Sequence, residues 1–205
     1  MIPLYHDFEG ERVVIVGGGP VALRKARRFA TEATVTVVAP SFEDGFASVA
    51  CERRREAVEP DEIPVLVADA ALVVPATDDT ALNDEIAAAA EQAGALVNHV
   101  DRTGDVVVPA TVDAETVSLA VSTGGASPAT SRWLRQQLEP TVERADRMAR
   151  LQRDLRAELK TAVETQAERR RLLRAVIDAD EVWDRLEDGL SAGKSAADAV
   201  ISRER

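Results

Sequence analysis

The stretch Val13-Val14-Ile15-Val16-Gly17-Gly18-Gly19-Pro20-Val21-Ala22 decides the fold. Four β-branched residues in a row read as a strand buried on both faces, and they run straight into glycines. Gly17, Gly19 and Ala22 have the G-x-G-x-x-A spacing of a dinucleotide-binding turn. Glycine at the first two positions permits a tight turn and close backbone approach. The helix that follows offers free N–H groups and a positive dipole end to a pyrophosphate. Taken alone the spacing is also met in simple tight βα turns; its place between a clear strand and a helix over Val21–Glu32 favours dinucleotide binding. Pro20 and Val21 then open the helix at the phosphate site.

Outward from this unit the alternation continues. Val35–Val38 reads as a second strand, stopped by Ala39-Pro40-Ser41. The region Cys51–Arg55 reads as an edge strand because Arg53-Arg54-Arg55 cannot be buried. Leu72–Val74 and Leu96–Asn98 continue the sheet, with a helix over Leu82–Ala93 between them that ends at Gly94. The expected fold class is therefore α/β, a Rossmann-like doubly wound parallel sheet. After Asp105 the pattern changes: Val106–Ala110 and Val117–Val121 read as two strands with no crossover helix between them. Leu138, Val142, Ala145, Met148, Leu151, Leu155, Leu159 and Val163 then recur at helical spacing, and shorter helical patterns follow to Ile201. The expected division is a nucleotide-binding domain over residues 1–112, a small α+β region over 113–145 and a helical C-terminal domain over 146–205.

Composition narrows the function. The 205 residues carry 36 acidic against 25 basic side chains, a net charge of −11, with only Lys25, Lys160 and Lys194 as lysines. Nucleic acid is not an expected partner, since phosphate neutralisation needs a concentrated basic face. The acidic surface suits either a high-salt habitat or an ordinary acidic protein. Apolar residues make up 45% of the chain and aromatics 3%, so the core must be built from Ala, Val, Leu and Ile. A single cysteine, Cys51, and two histidines, His6 and His99, give no metal site of the zinc type. No apolar run reaches membrane-spanning length and the start lacks a signal-peptide build, so no membrane partner and a cytoplasmic location are expected.

The second strand lacks the acid that NAD enzymes commonly place at its end to bond the ribose; Ala39-Pro40-Ser41 stands there instead. Backbone groups near Pro40 or the Ser41 hydroxyl would have to substitute. No arginine stands there for a 2′-phosphate either, which favours NAD over NADP. Asp101, three residues beyond Asn98, follows the fifth strand and so belongs to the carboxyl edge where doubly wound sheets bind ligands; a lone Asp there is also a common turn residue.

Several short motifs in fixed order resemble the precorrin-2 dehydrogenases and the N-terminal domains of siroheme synthases. They are Pro3-Leu4-Tyr5, the glycine turn with Arg24-Lys25-Ala26, Val37-Val38-Ala39-Pro40, and Ala76-Thr77-Asp78-Asp79 with Asn83. Asn98-x-x-Asp101, Pro109-Ala110 and Ser122-x-Gly124-Gly125-x-Ser127-Pro128 with Arg132 and Arg135 follow. Departures are few: Ala33 replaces a common helix-ending glycine, and beyond Glu143 the tail matches only as a helical extension.

The resemblance implies a homodimer joined through the extra strands, with precorrin-2 as substrate and NAD as cofactor. The reaction implied is removal of a hydride and a proton to give sirohydrochlorin, with Fe²⁺ insertion as an additional activity of some members. It assigns Asp101 to proton transfer or ring orientation, and Thr77 and Asp78 to the cofactor, although Asp78 or Asp79 could equally cap the next helix. A substrate with eight carboxylates needs anion sites. Ser122, Gly124, Gly125 and Ser127 before a helix N-terminus, with Arg132 and Arg135 on one helical face, are the candidates; a plain chain reversal and solvated surface arginines explain the same residues. A dehydrogenase that also inserts iron, and a non-catalytic NAD-sensing module, remain the two competing functions.

Overall fold

The computed structural model describes residues 3–100 and 106–205. The chain divides into two compact units, the first ending at Val108 and the second running Pro109–Arg205.

The first unit holds five parallel strands: β1 (Arg12–Val16), β2 (Thr34–Val38), β3 (Glu52–Arg54), β4 (Leu72–Pro75) and β5 (Leu96–Val97). Their order across the sheet is β3-β2-β1-β4-β5. This is the doubly wound arrangement that the alternation of strands and helices predicts, with the reversal of direction falling between β1 and β4. Helix α1 (Pro20–Phe29) follows β1, α2 (Ile63–Val67) precedes β4, and α3 (Thr80–Gln92) links β4 to β5.

The β-branched runs are continuous because both faces of the sheet are covered. One face packs Val13, Ile15, Val35, Val37, Leu72 and Val74 against Ala22, Ala26 and Phe29 of α1 and against Phe46. The other packs Val14, Val16, Val38, Val73 and Val97 against Ile63, Leu66 and Val67 of α2 and Ile86, Ala87 and Ala90 of α3. Small residues on the helices let them sit close to the sheet, which explains how a chain so poor in aromatics fills its interior. The edge strand β3 is exposed along its whole length, as its arginines require.

In the second unit β6 (Ala110–Asp113) pairs antiparallel with β7 (Ser118–Val121). The strand expected over Val106–Ala110 is thus displaced. Pro109 has no N–H to give a ladder, so pairing starts at Ala110. Val106 and Val108 instead pack, partly buried, against the first unit's core on the α1 face. Helix α4 (Pro128–Ala162) is 35 residues long and starts ten residues before the apolar periodicity does. It runs uninterrupted through residues 145 and 146, where the sequence reading sets a domain boundary. Its fully buried residues, Val142 to Leu159, all follow Pro140, which lies inside the helix. Of these, Met148, Leu151, Leu155 and Leu159 join Leu172, Leu173 and Val176 of α5 (Gln166–Asp178), Val182 and Leu186 of α6 (Asp180–Glu187), and Ala197, Val200 and Ile201 of α7 (Leu190–Glu204) in one core. The charged stretch Glu164–Arg174 is helical from Gln166, with Thr165 capping the helix through the N–H of Glu168.

Asp146 ties α4 to the β6–β7 turn. Its carboxylate is 5% exposed and accepts hydrogen bonds from the Thr116 N–H (2.6 Å), the Thr116 hydroxyl (2.8 Å) and the Val117 N–H (3.1 Å). Burial alone would push this carboxyl up. The Thr116 donors, the Val117 N–H and Arg150 outweigh it and hold Asp146 below the usual carboxylate range.

Candidate functional site: a dinucleotide cleft

The carboxyl ends of β1, β2 and β4 open into a cleft of about 750 Å³. The glycine turn forms its floor, and each glycine there has a separate reason. Gly17 takes φ +132°, and a Cβ on it would lie 2.3 Å from the Ala76 carbonyl oxygen. A Cβ on Gly18 would lie 1.8 Å from the Ser41 carbonyl oxygen, while the Gly18 carbonyl itself accepts from the Glu43 N–H at 2.9 Å. So the chain after β2 folds back over Gly18, a close approach that the sequence reading did not give to this residue. Gly19 has ordinary extended backbone (φ −83°, ψ −173°), and a Cβ there would meet nothing within 4 Å.

That open space lies at the N-terminus of α1, where Pro20 occupies the first turn and no side chain caps the helix. The N–H groups of Val21 and Ala22 precede the first intrahelical bond, Leu23 N–H to Gly19 C=O at 3.0 Å, and have no partner within the helix. Unfilled space above glycine, two N–H groups without a partner among the described residues and a positive dipole end fit a pyrophosphate.

The cleft brings together Gly17, Gly19, Pro20, Val21, Pro40, Ser41, Thr77 and Asp78, every residue the sequence reading assigns to the cofactor. On the β4 side the two aspartates separate. Asp79 caps α3, accepting from the N–H groups of Ala81 (2.9 Å) and Leu82 (3.2 Å), and Asp78 is left exposed on the cleft wall. Thr77 is held by Asn83, which is buried: the Thr77 hydroxyl donates to Asn83 Oδ1 at 2.7 Å and Asn83 Nδ2 donates back to the Thr77 carbonyl at 3.0 Å. Phe42, Glu43, Asp44 and Glu56 also line the cleft and were not singled out by sequence.

Lys25 lies one turn beyond Val21 on α1 and is half-buried. Burial first, then the neighbouring Arg24 and Arg28 charges, pull its pKa down to about 8.

Asp101 lies outside the described residues. Asn98, which precedes it, is 4% exposed at the end of β5; its Nδ2 donates to the Val106 carbonyl at 3.0 Å, and its Oδ1 has no partner among the described residues.

The proposed anion loop sits in the second unit. Gly124 and Gly125 both take positive φ, +62° and +84°, so the chain reversal depends on them. Ser127 is the N-cap of α4: its Oγ accepts from the Thr130 N–H at 3.2 Å and the Thr130 hydroxyl at 2.8 Å. Ser122 Oγ accepts from the Gly124 N–H at 3.2 Å. Thr123, which the sequence reading passed over, is the knot of the loop: its hydroxyl donates to the Ser127 carbonyl and accepts from the Ser127 N–H, both at 3.1 Å. Arg132 is exposed, whereas Arg135 already faces Glu139 at 3.4 Å. No group of three or more His, Cys, Asp or Glu able to hold a metal occurs among the described residues. Nor is any helix among them long and apolar enough to cross a membrane.

Sheet order, glycine turn and open helix end together define a Rossmann dinucleotide-binding domain. An NAD(P)-binding family model matches residues 4–110, and the central-domain model of sirohaem biosynthesis proteins matches residues 116–140. The chain belongs to the family of precorrin-2 dehydrogenases and siroheme synthases. It is 35% identical to the precorrin-2 dehydrogenase of Methanosarcina barkeri over 98% of its own length and 93% of that protein. It is 36% identical to the siroheme synthase of Nitrosospira multiformis over 99% of its length but only 44% of that protein. For the Pseudomonas putida F1 siroheme synthase the figures are 38%, 70% and 32%. The chain thus spans less than half of these siroheme synthases. The solved structure of SirC, a precorrin-2 dehydrogenase, superposes with a TM-score of 0.75 at 25% identity, covering 98% of both chains.

Proposed function

We propose that this chain is an NAD-dependent precorrin-2 dehydrogenase of siroheme biosynthesis that works as a homodimer. The single observation that carries the reading is the full-length match to the Methanosarcina barkeri enzyme, joined to a cleft built for a dinucleotide.

When bound, NAD⁺ supplies the two-electron acceptor for the oxidation. The chain's own residues do the rest. Val21 and Ala22 N–H groups hold the pyrophosphate, and the Thr77–Asn83 pair fixes the β4 wall beside it. Precorrin-2 loses two hydrogens on the way to sirohydrochlorin, one of them as a proton. Asp101 is the group assigned to take that proton or to orient the macrocycle, on the strength of its place in sequence after β5 and of the family resemblance. The loop Ser122, Gly124, Gly125 and Ser127 receives substrate carboxylates at the start of α4, with Arg132, which has no carboxylate partner among the described residues, and with Arg135, which is shared with Glu139. The β6–β7 ribbon is the element assigned to the dimer contact, since a two-stranded sheet is marginal by itself.

The test is direct. Purified protein, NAD⁺ and precorrin-2 should give the sirohydrochlorin absorption spectrum with one equivalent of NADH. Asp101→Asn should slow this by about 10²–10⁴-fold while NAD⁺ binding persists. Absence of turnover by the unsubstituted protein would overturn the assignment, and unchanged turnover in the variant would remove Asp101 from it.

A further inference from the structure

The acid missing from the end of β2 leaves the adenosine ribose without its usual reader, and the segment after β2 brings another carboxylate into the cleft lining. Glu43 lies five residues beyond the last residue of β2. Its N–H is fixed at 2.9 Å to the carbonyl of Gly18 within the glycine turn itself. The fold-back that places it there is the one that crowds Ser41 against Gly18. Glu43 lines the cleft, is exposed, and its carboxylate accepts no hydrogen bond among the described residues.

The other acidic residues on the wall are placed differently. Asp79 is committed to capping α3, and Asp78 stands beside it on the β4 side, away from β2. Asp44 heads the short 3₁₀ turn Asp44–Ser48, and Glu56 comes from beyond the edge strand β3. Neither has a backbone bond to the glycine turn. The charge around them is one-sided. Glu43, Asp44, Glu56, Asp78 and Asp79 line the cleft, and no lysine or arginine does so among the described residues. Arg55, a nearby cation, rests its guanidinium over the Phe42 ring, 5.5 Å from the centroid, and is not part of the lining.

We propose that Glu43 is the residue that reads the adenosine ribose and excludes a 2′-phosphate, in place of the acid absent from the end of β2. The inference rests on the NAD reading above. A carboxylate beside the ribose accepts from its hydroxyls. A 2′-phosphate removes one of those donors and brings a second negative group against the carboxylate, with no cation on the lining to offset it.

Calorimetric titration with NAD⁺ and with NADP⁺ at low ionic strength tests this on the unsubstituted protein, Glu43→Gln and Asp44→Asn. The unsubstituted protein should prefer NAD⁺ by at least about tenfold, and added salt should narrow the gap. Glu43→Gln should weaken NAD⁺, strengthen NADP⁺ and bring the ratio to within about threefold of unity, whereas Asp44→Asn should leave it within about twofold of the starting value. A ratio that Glu43→Gln leaves unchanged, or that Asp44→Asn collapses equally, overturns the assignment of Glu43. An unsubstituted protein that binds NADP⁺ as well as NAD⁺ overturns it too. If neither dinucleotide binds the unsubstituted protein, the NAD reading itself falls, a result distinct from the others. Glu43 is exposed and its side chain makes no hydrogen bond among the described residues, so melting temperatures matching the unsubstituted protein should accompany every arm.

Discussion

Gly18 and Gly19 are neighbours in sequence and should fail in opposite ways when substituted. Gly18→Ala puts a methyl carbon 1.8 Å from the Ser41 carbonyl oxygen and 3.0 Å from the Ala39 side chain, so the loop after β2 must retreat by more than an ångström. That retreat breaks the Glu43 N–H to Gly18 C=O bond, worth about 1 kcal/mol, and adds overpacking strain of about 1–3 kcal/mol. A protein of this size loses roughly 2–4 °C in melting temperature per kcal/mol, so Gly18→Ala should melt roughly 4–16 °C low. A Cβ at Gly19 meets no protein atom within 4 Å and the extended backbone is one that valine accepts, so Gly19→Val should change stability by less than about 1 kcal/mol. Its branched side chain instead fills the space over the α1 N-terminus, and NAD⁺ affinity should fall by at least about tenfold, equivalent to about 1.4 kcal/mol. Scanning calorimetry and NAD⁺ titration on both variants read the two effects separately. A Gly18→Ala protein melting like the unsubstituted one, or a folded Gly19→Val protein binding NAD⁺ normally, would refute the division of roles.

Three further outcomes are expected. Asp146→Ala should cost about 1–3 kcal/mol in urea unfolding, because it removes the buried charged acceptor of the Thr116 and Val117 hydrogen bonds. Since the folded Asp146 pKa lies below its ordinary 3.8, the contribution is fully present above that value and disappears as pH falls through the lower, folded pKa. A stability gap from the unsubstituted protein that persists unchanged into strong acid would contradict it. Lys25→Met should stabilise the fold by about 1 kcal/mol at neutral pH, a figure discounted for the partial exposure of the side chain. The unfolded lysine holds its proton up to about 10.5 and the folded one only to about 8, so stability of the unsubstituted protein rises with pH across that window and the advantage of the variant shrinks; melting curves at pH 7 and pH 10 check the sign. Arg132→Gln should raise the precorrin-2 KM by about tenfold with little change for NAD⁺, and more than Arg135→Gln, whose guanidinium is already shared with Glu139. Equal effects on both substrates would indicate a structural role.

The strands were legible where burial on two faces forces β-branched runs, as in Val13–Val16, Val35–Val38 and Leu72–Val74. Their parallel order followed from the helices between them. Elements set by backbone detail were not legible. Helix α2 is only five residues, Ile63–Val67, β-branched and carrying Pro64, a composition that argues for strand or turn. Strand β6 slipped forward because Pro109 cannot donate, a local fact outweighed in the pattern by the valines before it. At the site, residues on regular elements or directly at their ends were found: the glycine turn, Ser41 and Thr77. Glu43 was not, because it reaches the cleft only when an irregular loop folds back onto Gly18. Asp78 and Asp79 were interchangeable in sequence and became distinct once the Asp79 side chain was seen bonded to Ala81 and Leu82.

Pro140 gives α4 an uneven mechanical character. A proline inside a helix leaves the carbonyl four residues back, that of Gln136, without its N–H partner and adds a steric clash on that side. The segment after it is clamped by Val142, Met148, Leu151, Leu155 and Leu159, whereas the dozen residues before it contain no fully buried side chain and leave Trp133 57% exposed. The helix therefore behaves as a jointed rod: a fixed beam, a compliant joint at one residue, and a less deeply buried arm with the serine-glycine loop at its tip. Any torque applied to the tip concentrates at that joint instead of spreading along the rod, and amide exchange should step from fast to slow on crossing residue 140.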